Sequence, residues 1–162
     1  MNLVRDDGHR ALTAAQQFHL LERSALVSGV GILLPGEMRW HFDVQPTSFS
    51  RSYGLELRYR QGGRPRVFVR NPDLVLLADG RRLPHVYGEN PVELCLYLPR
   101  AREWAPWMPL DRSVVPWSAL WLYYFEDWLA SGDWNGGGMH PGDFGRRALA
   151  REGLGSVMVP DA

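Results

Sequence analysis

The sequence predicts an α+β fold in which helices cover one face of an antiparallel sheet. An amphipathic stretch near the N-terminus comes first, and several short segments that alternate apolar and polar residues follow it. A long apolar stretch, residues 117–130, comes after an irregular segment rich in proline. Strands that are grouped in sequence, with helices before and after them, are typical of α+β proteins.

The first predicted element is a helix over residues 11–27. Its apolar residues recur at the three- and four-residue spacing of one helix face, with glutamine, glutamate and arginine between them. We expect Thr13 or the acidic pair at 6–7 to cap its beginning, because short polar side chains accept hydrogen bonds from the first free amides. We expect Gly29 and Gly31 to end it.

Three or four short segments then predict an antiparallel meander. Residues 38–44 and 53–59 alternate with the two-residue period of half-buried strands. Residues 61–63, Gln-Gly-Gly, are a tight-turn signal, and residues 64–70 continue the alternation beyond it. The short apolar run 74–78 is the candidate fourth strand. The sequence therefore predicts a four-strand antiparallel meander after the first helix.

One face of the predicted hairpin carries arginines. We interpret it as a solvated sheet face, with an acidic patch of a partner protein as the alternative contact. Phe68 is the only interleaved aromatic, which argues against a surface that stacks nucleic acid bases. The 18 basic residues balance 18 acidic ones, so global electrostatic capture by nucleic acid or an acidic membrane is excluded. The arginines are Arg58, Arg60, Arg64, Arg66 and Arg70.

The second half of the chain predicts irregular backbone and then a central buried helix. Prolines and a glycine make most of residues 83–99 irregular, and only residues 93–98 look strand-like. Pro116 suits the first turn of a helix. Residues 117–130 are apolar around most of the helix circumference, which is typical of a core helix. Gly132 is expected to stop it.

We expect one domain over residues 1–162, with a core at about 11–132 and a glycine-rich tail at 133–162. No run of 18 apolar residues exists and the N-terminus lacks a signal peptide pattern, so we expect a cytoplasmic protein with no membrane contact. Cys95 is the single cysteine, which excludes an internal disulfide and a multi-thiolate zinc site. No cofactor is expected.

Cys95 is the residue on which a chemical function depends. It lies between two leucines, and an inert core cysteine is one interpretation. The other is a reactive thiol, because Pro84 and His85 open an irregular loop ten residues earlier and Pro99 bounds the segment afterwards. Thioester exchange needs a thiolate, a stabiliser of the oxyanion and assistance to the incoming amine. Cys95 is the one residue able to carry an acyl thioester.

This order of elements resembles the E2 ubiquitin-conjugating (UBC-like) fold over residues 11 to about 132. Those enzymes have an N-terminal helix, a four-strand meander, a His-Pro-Asn segment, the catalytic cysteine and a central helix. Here Leu-Pro-His-Val-Tyr at 83–87 and Glu-Leu-Cys-Leu-Tyr-Leu-Pro at 93–99 occupy the corresponding places. The stretch 117–130 takes the place of the central helix.

A narrower resemblance is to the E2-like proteins of bacterial CBASS antiphage operons that lack a separate E1. It is carried by Pro-His-Val-Tyr (84–87), Leu-Cys-Leu-Tyr-Leu-Pro (94–99), Pro-Trp (116–117), the aromatic run 121–129, and Gly-Asp-Trp with His-Pro after it (132–134, 140–141). It implies a thioester with the C-terminal glycine of a cyclic-oligonucleotide synthase, or CD-NTase. Transfer of that carboxyl end to an amine would prime the synthase.

The chemistry of thioester exchange suggests roles for three residues. Cys95 is the nucleophile. His85 holds the loop or stabilises the oxyanion, or else is a packing histidine satisfied by backbone. His140 is a proton acceptor carried to the cysteine by the tail, or else a solvated histidine.

Several roles stay open at this stage. Val86 stands where the family has its asparagine, and Asn90, Tyr87 or a backbone amide are the candidates to replace it. Glu103 and Asp111 are candidates to orient the amine, or else solvated carboxylates. The alternatives to a conjugating enzyme are an inactive E2-like binding module and a cysteine hydrolase using His85 or His140. The chain has no lysine, so it offers no ε-amine for self-acylation.

Overall fold

The computed structural model describes residues 8–98 and 102–138. In chain order these residues form α1 (Ala14–Arg23), β1 (Gly29–Leu34), β2 (Glu37–Val44), β3 (Tyr53–Arg60), β4 (Arg66–Asn71), α2 (Leu74–Leu77), β5 (Val86–Glu89), β6 (Val92–Leu94), a 3₁₀ turn (Leu110–Arg112) and α3 (Val114–Ser131). The predicted α+β class is confirmed.

The strands form one antiparallel sheet in the order β1-β2-β3-β4-β6-β5. The alternation read from the sequence sets its faces: Trp40 pairs with Leu57 and Leu57 with Val67, and all three are buried on the helix side. The prediction of four strands was wrong, because the described residues contain six. The meander β1–β4 is real, and β6 and β5 extend it beyond β4.

Helix α1 is shorter than predicted. Thr13 caps it as expected: its hydroxyl accepts from the Gln16 amide at 3.1 Å, and the Gln16 side chain accepts from the Thr13 amide at 2.9 Å. The helix ends at Arg23, however, before the glycines that were expected to stop it. Gly29 and Gly31 lie in β1, an edge strand that the sequence reading missed.

The glycines of β1 are explained by the Trp40 ring on the neighbouring strand. A Cβ at Gly29 would lie 2.6 Å from Trp40 Nε1, and one at Gly31 would lie 2.8 Å from Trp40 Cε3. The same Cβ atoms would lie 2.3 Å from the carbonyl oxygens of His41 and Arg39. These glycines therefore make room for a buried indole, and their sequence signal was mistaken for a helix end.

Gly31→Ala is expected to destabilise the fold by about 1–3 kcal/mol, because the new methyl group meets a paired backbone oxygen and the Trp40 ring. Urea unfolding followed by tryptophan fluorescence measures it. Gly88→Ala is the matched control, since the nearest atom to its Cβ is 3.9 Å away. Equal stability of the two variants would contradict this account of β1.

Two further segments differ from the prediction. Residues 74–78 do not form a strand: α2 begins there because Asp73 accepts hydrogen bonds from the Val75 and Leu76 amides at 2.9 and 3.2 Å. The irregular segment before the cysteine contains β5, and the strand expected over 93–98 is β6, Val92–Leu94. β5 has four residues and β6 has three, which are too few for an alternating pattern to show in the sequence.

The central helix α3 forms where it was predicted, but it is buried on one face only and not around most of its circumference. Pro116 lies in its first turn, and Gly132 ends it with φ +82° while donating to the Trp128 carbonyl at 2.8 Å. One face enters the core through Leu122 and Phe125, which have no exposed surface. The opposite face is not buried, and Leu120 is about half exposed.

Two buried or half-buried polar side chains tie the helices to the rest of the molecule. Gln17 of α1 has no exposed surface, donates to the Met108 carbonyl at 3.0 Å and accepts from the Leu110 amide at 2.9 Å. Glu126 of α3 accepts from the hydroxyls of Ser50 and Tyr53 at 2.6 and 2.8 Å. The bonds of Gln17 fix α1 to the segment that follows the cysteine, and those of Glu126 fix α3 to β3 and the loop before it. In the part of the chain that the structure describes, none of the helices has the length and apolarity to cross a membrane.

Candidate functional site

A pocket of about 410 Å³ opens between the end of β6, helix α3 and the glycine-rich segment after it. We call it the Cys95 pocket. Its walls are mostly aromatic and aliphatic, and one thiol, one imidazole and one carboxylate also line it. The residues that line it include His85, Cys95, Glu103, Trp121, Tyr124 and Trp134.

Cys95 lies directly after β6, at the floor of this pocket. Its amide donates to the His85 carbonyl at 3.0 Å, which continues the ladder between β5 and β6 by one step. The residue lines the pocket but is buried, with 9% of its surface exposed. The thiol lies 3.9 Å from the Tyr97 carbonyl oxygen.

His85 is held by its backbone at two points. Its carbonyl accepts from the Cys95 amide and from Trp121 Nε1, both at 3.0 Å. Its φ is +47°, a left-handed conformation that histidine adopts more readily than most residues. The ring stacks on Trp134, with centroids 4.9 Å apart and planes 23° apart. The histidine and the cysteine are therefore brought to one pocket, as the sequence reading proposed.

The glycine-rich segment folds back over the pocket. Trp134 Nε1 donates to the Gly137 carbonyl at 3.1 Å. A Cβ at Gly136 would lie 2.9 Å from both the Trp134 and the Tyr124 rings, so only glycine fits there without a shift. Gly138 passes the His85 ring, and a Cβ on it would lie 3.5 Å from Cε1. His140, the third predicted site residue, lies outside the described residues.

Burial raises the pKa of the Cys95 thiol above its ordinary value. A hydrogen bond with the Tyr87 hydroxyl opposes this rise, and so does the positive charge of Arg64, whereas Glu103 and Glu93 add to it. The neutral thiol is thus the resting form at neutral pH. Chemistry at this sulfur needs a partner that stabilises the thiolate.

The arginine face is more than a solvated surface. Two buried carboxylates organise it: Glu56 is 4% exposed and Glu93 is 6% exposed. Burial alone would raise the pKa of each carboxyl, but hydrogen bonds from arginine pairs outweigh it and lower both. Phe68 lies beneath three guanidinium groups and is itself buried. The pairs are Arg58 with Arg70 on Glu56, and Arg64 with Arg66 on Glu93.

The two carboxylates proposed to orient an amine lie in different places. Glu103 lines the Cys95 pocket, where it accepts from the Leu98 amide at 2.7 Å. Asp111 is 6% exposed in the 3₁₀ turn and is not among the residues that line the pocket. Glu103 therefore remains a candidate to orient the attacking amine. Asp111 is buried, so it is not the solvated carboxylate that was the alternative for it.

Three residues of the site were missed as site residues. Trp121 and Trp134 hold His85, and the positive charge of Arg64 lowers the pKa of the Cys95 thiol. Trp121 has the spacing of a core residue, and it is buried as that spacing predicts. Nothing in the sequence indicates that its indole N–H also binds the His85 carbonyl. Trp134 beside three glycines was the available signal. No group of three His, Cys, Asp or Glu side chains suited to a metal ion occurs in residues 8–98 and 102–138.

Fold and pocket together define an α+β protein with a thiol and an imidazole in one aromatic-walled pocket at the edge of its sheet. Residues 17–141 match the model of a family described as type II CBASS E2 protein. The match covers most of the chain, and the protein therefore belongs to this family. The sequence resemblance to CBASS E2-like proteins is confirmed, and the family places the chain in that antiphage system. No curated protein matches the sequence.

Proposed function

We propose that this protein is an E2-like conjugating enzyme with a UBC-like fold, which acts in the bacterial cytoplasm. Cys95 forms a thioester with the C-terminal glycine of the operon's CD-NTase and passes that carboxyl end to an amine. The observation that carries the proposal is that Cys95 and His85 line one pocket, in a chain of the type II CBASS E2 family. Residues 11–132 form the single E2-like core.

The first chemical step requires an activated acyl donor, because a thiol does not displace the oxygen of a free carboxylate. The glycine carboxyl must arrive bonded to a leaving group, as a thioester or an acyl adenylate. The Cys95 thiolate attacks the carbonyl carbon, the new S–C bond forms and the leaving group departs with the electron pair of its bond. In the second step an amine attacks, the C–N bond forms, and sulfur leaves as thiolate.

The walls of the Cys95 pocket suit an extended tail that ends in glycine. Leu96, Trp117 and Leu120 offer apolar surface along the approach to the sulfur. Cys95 itself is buried, with 9% of its surface exposed, so a residue without a side chain reaches it most easily. The His85 ring lines the same pocket, and in this proposal it stabilises the oxyanion.

One observation favours a second function, an inactive E2-like binding module. Burial raises the pKa of the Cys95 thiol, and an unreactive thiol is expected of such a module. In that case the protein would bind the CD-NTase tail in the same pocket without a covalent bond.

The experiment that separates the two functions uses a peptide thioester made from the last residues of the CD-NTase. We expect a covalent adduct on non-reducing gels that disappears with reductant, and an equivalent peptide without its C-terminal glycine is the control. Full-length CD-NTase, offered with its operon's other proteins and ATP, is then tested for the same adduct. Tight peptide binding with no adduct would favour the binding module and contradict the enzyme.

A further inference from the structure

A bulge in the sheet edge places Tyr87 beside the cysteine. Val86 of β5 pairs with Leu94 of β6, but the next pair is Gly88 with Glu93, so Tyr87 is an extra residue on its strand. Bulges of this kind bend the strand and redirect a side chain, and they are frequent next to active sites. The bulge follows directly after the bond between the Cys95 amide and the His85 carbonyl, and the Tyr87 hydroxyl is near enough to lower the pKa of the Cys95 thiol by hydrogen bonding.

A cation lies against the Tyr87 ring. The guanidinium carbon of Arg64 is 4.4 Å from the ring centroid, within the range of a cation–π contact. Arg64 Nη2 donates to Glu93 Oε1 at 2.8 Å, and Arg66 binds the same carboxylate from the other side at 2.7 and 3.0 Å. Because Glu93 is 6% exposed and doubly bound, it fixes where Arg64 can lie.

Arg64 also links Tyr87 to the second tyrosine of the site. Its positive charge opposes the rise that burial causes in the pKa of Tyr97, whose hydroxyl donates to the Pro65 carbonyl at 3.3 Å. Burial raises the pKa of Tyr97 to about 12 and raises that of Tyr87 further above its ordinary value. Both tyrosines therefore keep their protons at neutral pH, so Tyr87 meets the sulfur as a hydrogen-bond donor.

We propose that Tyr87 is a catalytic residue whose hydroxyl donates to the Cys95 sulfur when that sulfur carries negative charge, and that Arg64 and Glu93 are positioning residues for it. Tyr87 thereby does part of the work of the asparagine that Val86 replaces. The role rests on the proposed function: when the amine attacks the thioester and the C–S bond breaks, sulfur takes the electron pair. The tyrosine stabilises that thiolate without transferring its proton.

The test is the pH dependence of Cys95 alkylation by iodoacetamide, which measures the thiol and needs no acyl donor. We expect the wild-type midpoint to lie above that of an ordinary thiol, with a rate that rises about tenfold per pH unit below it. Tyr87→Phe is expected to raise the midpoint further and to slow alkylation at pH 7.5 by about threefold to tenfold. Tyr123→Phe, an exposed tyrosine on α3, is the matched control with no shift.

Arg64→Gln tests the positioning role. We expect a shift of the same sign, and in the double variant with Tyr87→Phe a shift smaller than the sum of the two, because part of the arginine's effect passes through the tyrosine. Circular dichroism confirms that each variant is folded.

A midpoint that Tyr87→Phe leaves unchanged or lowers would overturn the inference. This result is separate from the adduct assay: a shifted midpoint without any adduct keeps Tyr87 as a partner of the thiol and removes the proposed enzyme. An adduct together with an unshifted midpoint keeps the proposed enzyme and removes Tyr87 as a partner of the thiol.

Discussion

Cys95→Ala is expected to abolish adduct formation with a peptide thioester, a loss of at least about 10⁴-fold in rate. The reason is chemical, because no other thiol exists in the chain and no other side chain carries an acyl group as a thioester. Cys95→Ser is the informative partner variant. It retains a nucleophilic oxygen in the same place, so a slow adduct that resists thiol reductants but is cleaved by hydroxylamine is the expected product.

The absence of lysine makes these gels easy to interpret. An adduct that survives reductant in the wild-type protein cannot be an isopeptide bond to a side chain of this chain. Only the N-terminal amine or a hydroxyl remains as an acceptor within it. Persistence of the reducible adduct in Cys95→Ala, with the protein folded, would remove the proposed mechanism altogether.

The sequence predicted the elements whose pattern is long and regular. Strands β2, β3 and β4 alternate over enough residues to show which face is buried, and helix α3 was recognised from its length and its Pro116 and Gly132 boundaries. Strand β1 was missed because Gly29 and Gly31, which admit the Trp40 ring, resemble a helix terminus in sequence. The glycines at these two positions are required by the side chain of a neighbouring strand. Local sequence propensities do not include such a contact.

The candidate site shows the same division. Cys95 and His85 were proposed as site residues from their types and spacing, and the ladder between β5 and β6 brings their backbones together. The prediction of a solvated face rested on strand alternation, which does not show the partners of Arg64, a side chain that is 36% exposed. That guanidinium is bound by Glu93 and lies on Tyr87, and both contacts depend on how β6 and β5 add to the sheet beyond β4.

His85→Asn is expected to slow acyl transfer from Cys95 by about 10²–10³-fold, because it removes the imidazole that we place beside the oxyanion. Asparagine is chosen as the replacement because it tolerates the backbone conformation of this position. His85 has φ +47°, and asparagine is among the residues that tolerate this region best. The carbonyl that accepts from the Cys95 amide and from Trp121 therefore stays in position. Single-turnover transfer from a peptide thioester to a small amine measures the effect.

The two roles considered for His85 predict different results in this variant. If the imidazole only packs on Trp134, His85→Asn lowers the stability and leaves the transfer rate of the folded protein unchanged. If it stabilises the oxyanion, transfer falls while the alkylation rate of Cys95 stays within about twofold of wild type, since alkylation forms no oxyanion. His19→Asn, an exposed histidine on α1, is the matched control and should change neither rate. A catalytic His85 thus requires both results together, slow transfer and an intact thiol.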